Sequence, residues 1–134
     1  MKVGIIGFGV VGKKRYASIL ENTSYTVDAI SENNSLARKD IPENIEIFED
    51  YQLLIDSAKV DIVFISLPNK FAAEATALSL KKGLHVFCEK PPARTHAELL
   101  EVEKQSLNFP ELKLMYGFNH RFHLSVEEAK SIID

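Results

Sequence analysis

The chain holds one cysteine, Cys88, in 134 residues. A single thiol excludes an internal disulfide and fits a reducing compartment, so the cytoplasm is the expected location. No apolar run approaches the ~20 residues that cross a bilayer, so no membrane contact is expected. The first apolar stretch is broken by Gly7, Gly9 and Gly12 and lacks the form of a secretory leader. Charge of either sign is scarce in excess: the net value is −3, which leaves nucleic acid without electrostatic support. The four histidines and the lone cysteine show no metal-ligand spacing. There is no internal repeat and no low-complexity segment. What is present is an ordinary globular balance, 46% hydrophobic and 26% charged, in a length that supports one domain with a core.

Glycine is also sparse, but it clusters where it matters. The stretch Val3-Gly4-Ile5-Ile6-Gly7-Phe8-Gly9-Val10-Val11-Gly12 follows the start of the chain. An apolar run precedes the turn and a helical pattern follows it. This context predicts a strand ending at Ile6, a tight turn, and a helix opening near Val10. Glycine permits such a turn and lets the backbone approach a pyrophosphate closely. The helix N-terminus adds unpaired N–H groups and partial positive charge, which suits a dinucleotide.

Beyond this turn, apolar runs alternate with helical patterns. Strands are predicted over Lys2–Ile6, Tyr25–Ser31, Ile45–Phe48, Asp61–Leu67, Leu84–Cys88 and Leu112–Gly117. The Asp61–Leu67 strand reads as covered on both faces. Helices are predicted over Val10–Glu21, Tyr51–Ser57, Asn69–Lys82 and Thr95–Leu107, with a helical turn over Ser35–Asp40 ended by Pro42. The first helix offers Val11, Ala17, Ile19 and Leu20 to its inner side. Gly83 reads as a C-cap, and Thr95 with Glu98 as a capping box. A last helix runs from about Ser125 to the end. The alternation predicts an α/β Rossmann-type, doubly wound, mostly parallel six-stranded sheet with helices on both faces. Ligands bind such sheets beyond the carboxyl ends of the strands. The segments to inspect are therefore Gly7–Gly12, Ser31–Asn34, Leu67–Asn69, Glu89–Pro92 and Gly117–Arg121.

Glu32 stands 20 residues after Gly12, at the end of the second strand. A carboxylate there can accept hydrogen bonds from the adenosine ribose and repels a 2′-phosphate, which favours NAD. Ser31, Asn33 and Arg38 lie close by and could instead form a polar site for a 2′-phosphate, so NADP stays open. Glu89-Lys90-Pro91-Pro92 follows the fifth strand directly. A lysine beside a nicotinamide can protonate a carbonyl oxygen as hydride arrives, or help remove a hydroxyl proton in reverse. Desolvation lowers the pKa of such a lysine toward a useful range, and the prolines stiffen the turn that aims it. The plainer alternative for Glu89 and Lys90 is a surface ion pair.

Four motifs occur in order: Gly7–Gly12, Leu67-Pro68-Asn69, the run from Gly83 to Pro91, and Gly117-Phe118-Asn119-His120-Arg121-Phe122. Together they resemble the glucose–fructose oxidoreductase / inositol dehydrogenase / MocA family over essentially the whole chain. The resemblance implies NAD(P)-dependent oxidation or reduction of a sugar, cyclitol or sugar derivative. It implies that Lys90 is the active-site lysine and that Glu89 and Pro91 shape the nicotinamide and ribose pocket. It implies that Leu67, Pro68 and Asn69 lie along the cofactor and that Asn119 and Arg121 sit where the cofactor domain meets a substrate domain. The glycine turn, with Phe8, Val10 and Val11 between its glycines, completes the expected cofactor contacts together with Ser31, Glu32 and Asn33. Two positions depart from the family pattern: Arg15 and the Phe71-Ala72-Ala73 segment stand where histidines are common.

Family members are about twice this length or more, with a second α/β domain that supplies substrate contacts and an assembly surface. The chain is thus expected to be an N-terminal portion. Residues 1–120 would form the cofactor domain, and residues 121–134 the crossover into the substrate domain. A homo-oligomer built through that other domain is expected. The rival reading is a regulatory domain that senses the dinucleotide without chemistry. Of the remaining reactive side chains, His85 and Cys88 read as packing residues and His96 as a surface residue. His120 and His123 flank Arg121 and are candidates to face the site. Lys13-Lys14-Arg15 either adds positive potential near the pyrophosphate or forms a solvated face.

Overall fold

The computed structural model describes residues 1–57 and 59–133. Its six strands are β1 (Lys2–Ile6), β2 (Thr26–Ser31), β3 (Glu46–Phe48), β4 (Ile62–Ile65), β5 (His85–Cys88) and β6 (Leu114–Tyr116). They form one sheet in the order β3-β2-β1-β4-β5-β6. All five pairings are parallel. The helices between them are α1 (Val10–Leu20), α2 (Ser35–Arg38), α3 (Tyr51–Ser57), α4 (Asn69–Lys81) and α5 (His96–Asn108). A 3₁₀ turn (Asn119–Phe122) and α6 (Leu124–Ile133) follow β6. The predicted extension of this last helix to Asp134 lies outside the described residues.

The two faces of the sheet carry separate cores. Strand side chains alternate, so Val3 and Ile5 of β1 point to one face and Ile6 to the other. Val3, Ile5, Val27 and Ile30 pack with Ile19 and Tyr16 of α1 and with Phe8. Ile6, Val63, Ile65, Val86 and Cys88 pack with Leu54 and Ile55 of α3, the alanines of α4 and Val102 of α5. Small side chains on α4 (Ala72, Ala73, Ala75, Ala77) let it lie close to the sheet. Its buried Thr76 and Ser79 hydroxyls donate to the carbonyls of Ala72 and Ala75, at 2.8 and 2.7 Å, so neither is left unpaired. The helix ends in a Schellman motif: Gly83 N–H donates to Leu80 O and Leu84 N–H to Ser79 O, with Gly83 at φ +84°.

Two sequence expectations are corrected. On α1, Ile19 is buried, but Val11, Ala17 and Leu20 are exposed. The reason is Gly12, which is the point of closest approach to β1. At 3.6 residues per turn, the stripe that starts at Gly12 continues through Tyr16 and Ile19 and leaves the other three outside. On β4, Val63 and Ile65 are buried, whereas Ile62 and Phe64 are only half-buried. The β4 strand is therefore fully covered on the α3–α4 side and partly on the other. Phe64 there stacks on Phe87, with ring centroids 5.1 Å apart.

The strand order reverses between β1 and β4. The β1–α1 turn and the β4–α4 loop thus flank the crevice at the carboxyl edge of the sheet, the usual ligand position in such folds. Helix α6 buries none of its residues and packs against the 3₁₀ turn.

Candidate dinucleotide-binding site

Gly7 leaves β1 at φ +88°, in the left-handed region that glycine adopts without strain. Its N–H donates to Ser31 O at 2.8 Å, which ties the turn to β2. A Cβ on Gly7 would lie 2.8 Å from Ser66 O, and one on Gly12 would lie 2.0 Å from Gly7 O. Both glycines are therefore demanded by backbone contacts within the protein. Gly9 differs: a Cβ there meets nothing within 4 Å. The fold leaves its space open, and Gly9 borders the cleft. Gly9 is also the N-cap of α1 and makes no side-chain cap, and no acidic residue occupies the first turn. The helix thus presents an uncapped, electropositive end beside a bare backbone, a fit for an anionic pyrophosphate.

Glu32 closes over this turn. Its carboxylate accepts from Phe8 N–H at 2.8 Å and from Asn34 N–H at 2.9 Å. Phe8 itself is a core residue, with its ring edge-on to Tyr16 at 5.8 Å. Its backbone N–H ties the loop to Glu32. The pairing of β2 with β3 sets Ser31 beside Phe48, and Glu32 N–H donates to Phe48 O at 2.9 Å. Glu32 and Glu49 therefore emerge side by side from adjacent strands.

A cleft of about 620 Å³ lies over these ends. Gly7, Gly9, Ser31–Asn34, Ser66–Pro68 and Phe71 line it. Residues 49–52 line it as well. The sequence reading missed Glu49, Asp50, Tyr51, Gln52, Ser66 and Phe71. Glu49 to Gln52 follow β3, and the rule about carboxyl ends of strands reaches them once it is applied to that short strand as well. Ser66 Oγ is buried at this cleft without a hydrogen-bond partner among the described residues. Burial pushes the Tyr51 phenol pKa up, with the Glu74 carboxylate adding to the effect.

The second group of predicted residues follows β5 and β6 and is not part of the cleft lining. Glu89 is mostly buried and accepts from Arg15 Nε at 2.6 Å, with Arg15 Nη2 on the same oxygen. The Arg15 guanidinium stands 5.0 Å from the centroid of the Phe87 ring. Gly117 packs so closely that a Cβ would meet Glu89 Oε2 at 2.9 Å. Lys90 is exposed, and the Lys90–Pro91 peptide is cis. Glu89 is therefore paired with Arg15 of α1, and the surface-pair alternative with Lys90 does not apply. Asn69 opens α4 next to the cleft. Val10 and Val11 are exposed at the start of α1, and Asn119 and Arg121 are exposed on the 3₁₀ turn.

The other reactive side chains have structural settings. Cys88 is fully buried, and burial pushes its thiol up to about 11, so it is not an activated nucleophile. His85 Nδ1 accepts from Lys113 N–H at 3.0 Å. His96 is exposed. His120 and His123 stack on each other at 4.8 Å and are exposed. Lys13 pairs with Asp40, which offsets its contribution near the glycine turn. Among the described residues, no group of three His, Cys, Asp or Glu side chains is placed to hold a metal ion. No described helix is long and apolar enough to cross a membrane.

The order of strands, the glycine turn and the acidic residue at the end of β2 define a Rossmann domain of the dinucleotide-binding kind. The chain belongs to the Gfo/Idh/MocA family: residues 1–107 match its description, an oxidoreductase family with an NAD-binding Rossmann fold. It is 33% identical to a D-glucoside 3-dehydrogenase of Escherichia coli, over 97% of this chain and 38% of that protein. It is 27% identical to a D-xylose 1-dehydrogenase (NADP(+)) 2 of Haloferax volcanii, over 99% of this chain and 42% of that protein. A scyllo-inositol dehydrogenase from Lactobacillus casei, solved with NAD(H) and scyllo-inositol, superposes with a TM-score of 0.89 at 28% identity. That match covers 100% of this chain and 41% of the other. The chain thus spans about two fifths of the length of the curated relatives it matches.

Proposed function

We propose that this chain is the cofactor-binding portion of an NAD(P)-dependent oxidoreductase that moves a hydride to or from a sugar, cyclitol or sugar derivative. The observation that carries the reading is Gly9, a glycine with no steric need within the protein, at an uncapped helix end beside the cleft. Relatives named for activity on a glucoside, on xylose and on an inositol support the substrate class. On this reading residues 1–120 form the cofactor domain, and residues 121–134 lead toward a substrate domain that also provides the assembly surface. The cytoplasm remains the proposed location.

In the proposed arrangement, Gly7, Gly9 and the first turn of α1 (Val10, Val11, Gly12) hold the pyrophosphate. Ser31, Glu32 and Asn33 meet the adenosine ribose. The second lone pairs of the Glu32 carboxylate remain available to ribose hydroxyls, and its charge favours NAD over NADP. Leu67, Pro68 and Asn69 run along the cofactor toward Glu89, Lys90 and Pro91. A nicotinamide ring supplies or accepts the hydride. Lys90 delivers a proton to the substrate oxygen in reduction and receives it in oxidation. Arg15 neutralises Glu89, so the carboxylate beside Lys90 is held in place rather than free to capture its ammonium. Asn119 and Arg121 stand at the proposed junction with the substrate domain.

Lys90→Ala in the enzyme that carries this domain separates chemistry from binding. Loss of a positioned acid–base group lowers turnover by roughly 10²–10⁴-fold, with cofactor affinity nearly retained. Turnover that survives the substitution overturns the role of Lys90, and it leaves the cofactor site to be judged by its own binding data.

A further inference from the structure

Arg38, at the end of α2, approaches Glu49: Arg38 Nη1 lies 2.6 Å from Glu49 Oε1. The arginine side chain is 21% exposed and the glutamate 78%, so a largely covered guanidinium is faced by a carboxylate that borders the cleft. Although close, the Arg38 Nη1 N–H is not aimed to form a hydrogen bond with that oxygen, and it has no other acceptor among the described residues. Glu49 emerges beside Glu32, the residue taken to read the adenosine ribose.

We propose that the Arg38–Glu49 pair is a coenzyme-selectivity latch, in which the Glu49 carboxylate occupies the seat that a ribose 2′-phosphate would take on Arg38. The proposal rests on the dinucleotide reading of the cleft and deepens it. A guanidinium fork matches carboxylate and phosphate alike. While Glu49 holds it, the arginine offers an incoming phosphate little net positive charge, and Glu32 and Asp50, which line the same cleft, add repulsion. Nearby Asp40 is engaged with Lys13. Removing the Glu49 charge therefore does more than subtract repulsion: it frees a partly desolvated arginine for the phosphate. Glu32 stays pinned by Phe8 and Asn34 N–H groups, so selectivity relaxes without inverting. Glu49 is exposed, and its substitution leaves the core untouched.

The experiment is a titration of the 134-residue chain with NADH and with NADPH, in wild type, Glu49→Gln, and Glu49→Gln combined with Arg38→Ala. Wild type is expected to bind NADH more tightly. In Glu49→Gln the ratio of the NADPH to the NADH dissociation constant should fall about five- to tenfold, the scale of one charge-assisted contact. The double variant should return that ratio to near the wild-type value. An unchanged ratio in Glu49→Gln overturns the latch, as does a gain that survives loss of Arg38, which would reflect repulsion alone. In both cases NADH still binds and the dinucleotide reading stands. Wild type that binds neither cofactor overturns both.

Discussion

Replacing Gly12 by alanine sets a methyl group 2.0 Å from Gly7 O, with Ile5 Cγ2 behind it at 3.7 Å. The obstacle is backbone, so no flexible side chain can swing aside. Relief requires α1 to withdraw from the turn by about 1 Å or more, loosening Tyr16 and Ile19 from the β1–β2 core. Overpacking of this kind costs about 1–3 kcal/mol, here at the upper end, and the better helix propensity of alanine returns up to about 1 kcal/mol. The net loss is about 2 kcal/mol, or a fall in Tm of roughly 6–10 °C for a domain of this size. Gly9→Ala is the matched control. No atom of the described residues lies within 4 Å of the new methyl, and Gly9 sits at φ −70°. Its cost is limited to the poorer N-cap, at most about 1 kcal/mol. The Gly9 methyl does stand at the helix end where a pyrophosphate must approach, so NADH affinity should fall by roughly tenfold or more. Thermal melts by circular dichroism and a fluorescence titration with NADH read the two effects separately. A Gly9 variant that melts as early as Gly12→Ala, or that binds NADH as well as wild type, refutes this division of labour between the glycines.

Two other perturbations follow from the β5 end of the sheet. Arg15→Ala leaves the Glu89 carboxylate, 11% exposed, without its guanidinium. Urea denaturation should show a loss of about 2 kcal/mol, below the 3–5 kcal/mol of a fully buried pair because Arg15 retains some solvent contact. A change below about 0.5 kcal/mol, typical of surface sites, contradicts that setting. Cys88 titrates at about 11 in the folded chain against 9.0 as a free thiol, because burial disfavours the thiolate. The native state then holds its proton more tightly, so this contribution is intact below pH 9 and lost as pH rises from 9 through about 11. The full loss is roughly 2–3 kcal/mol. Stability measured across that range should decline less steeply in Cys88→Ala; equal slopes refute the assignment.

The architecture was legible because each strand and helix carries a local signal. Val3 to Ile6 is a buried run broken by glycine, Gly83 is punctuated as a Schellman cap, and Thr95 accepts from Glu98 N–H at 3.3 Å as the capping pattern predicts. The Glu98 carboxylate, in contrast, reaches Arg94 N–H and its guanidinium. Legibility failed where tertiary contact decides. Nothing in the composition of α1 shows that Gly12, rather than Val11 or Leu20, faces the sheet. That orientation comes from the close approach to Gly7. The partner of Glu89 was invisible for a similar reason: Arg15 is 74 residues away and meets it only after β1, β4 and β5 pair. Of the residues expected at the site, Gly7, Gly9, Ser31, Glu32, Asn33, Leu67 and Pro68 line one cleft. Glu49 to Gln52 were overlooked because β3 is only three residues long and leaves little periodicity to mark its end.

The central claim is that the Gly7–Gly12 turn holds a nicotinamide dinucleotide. Isothermal calorimetry of this chain with NADH tests it most directly. Saturable one-to-one binding that weakens in Gly9→Ala is the predicted result. The absence of binding by a folded chain, shown by its cooperative thermal melt, would contradict it.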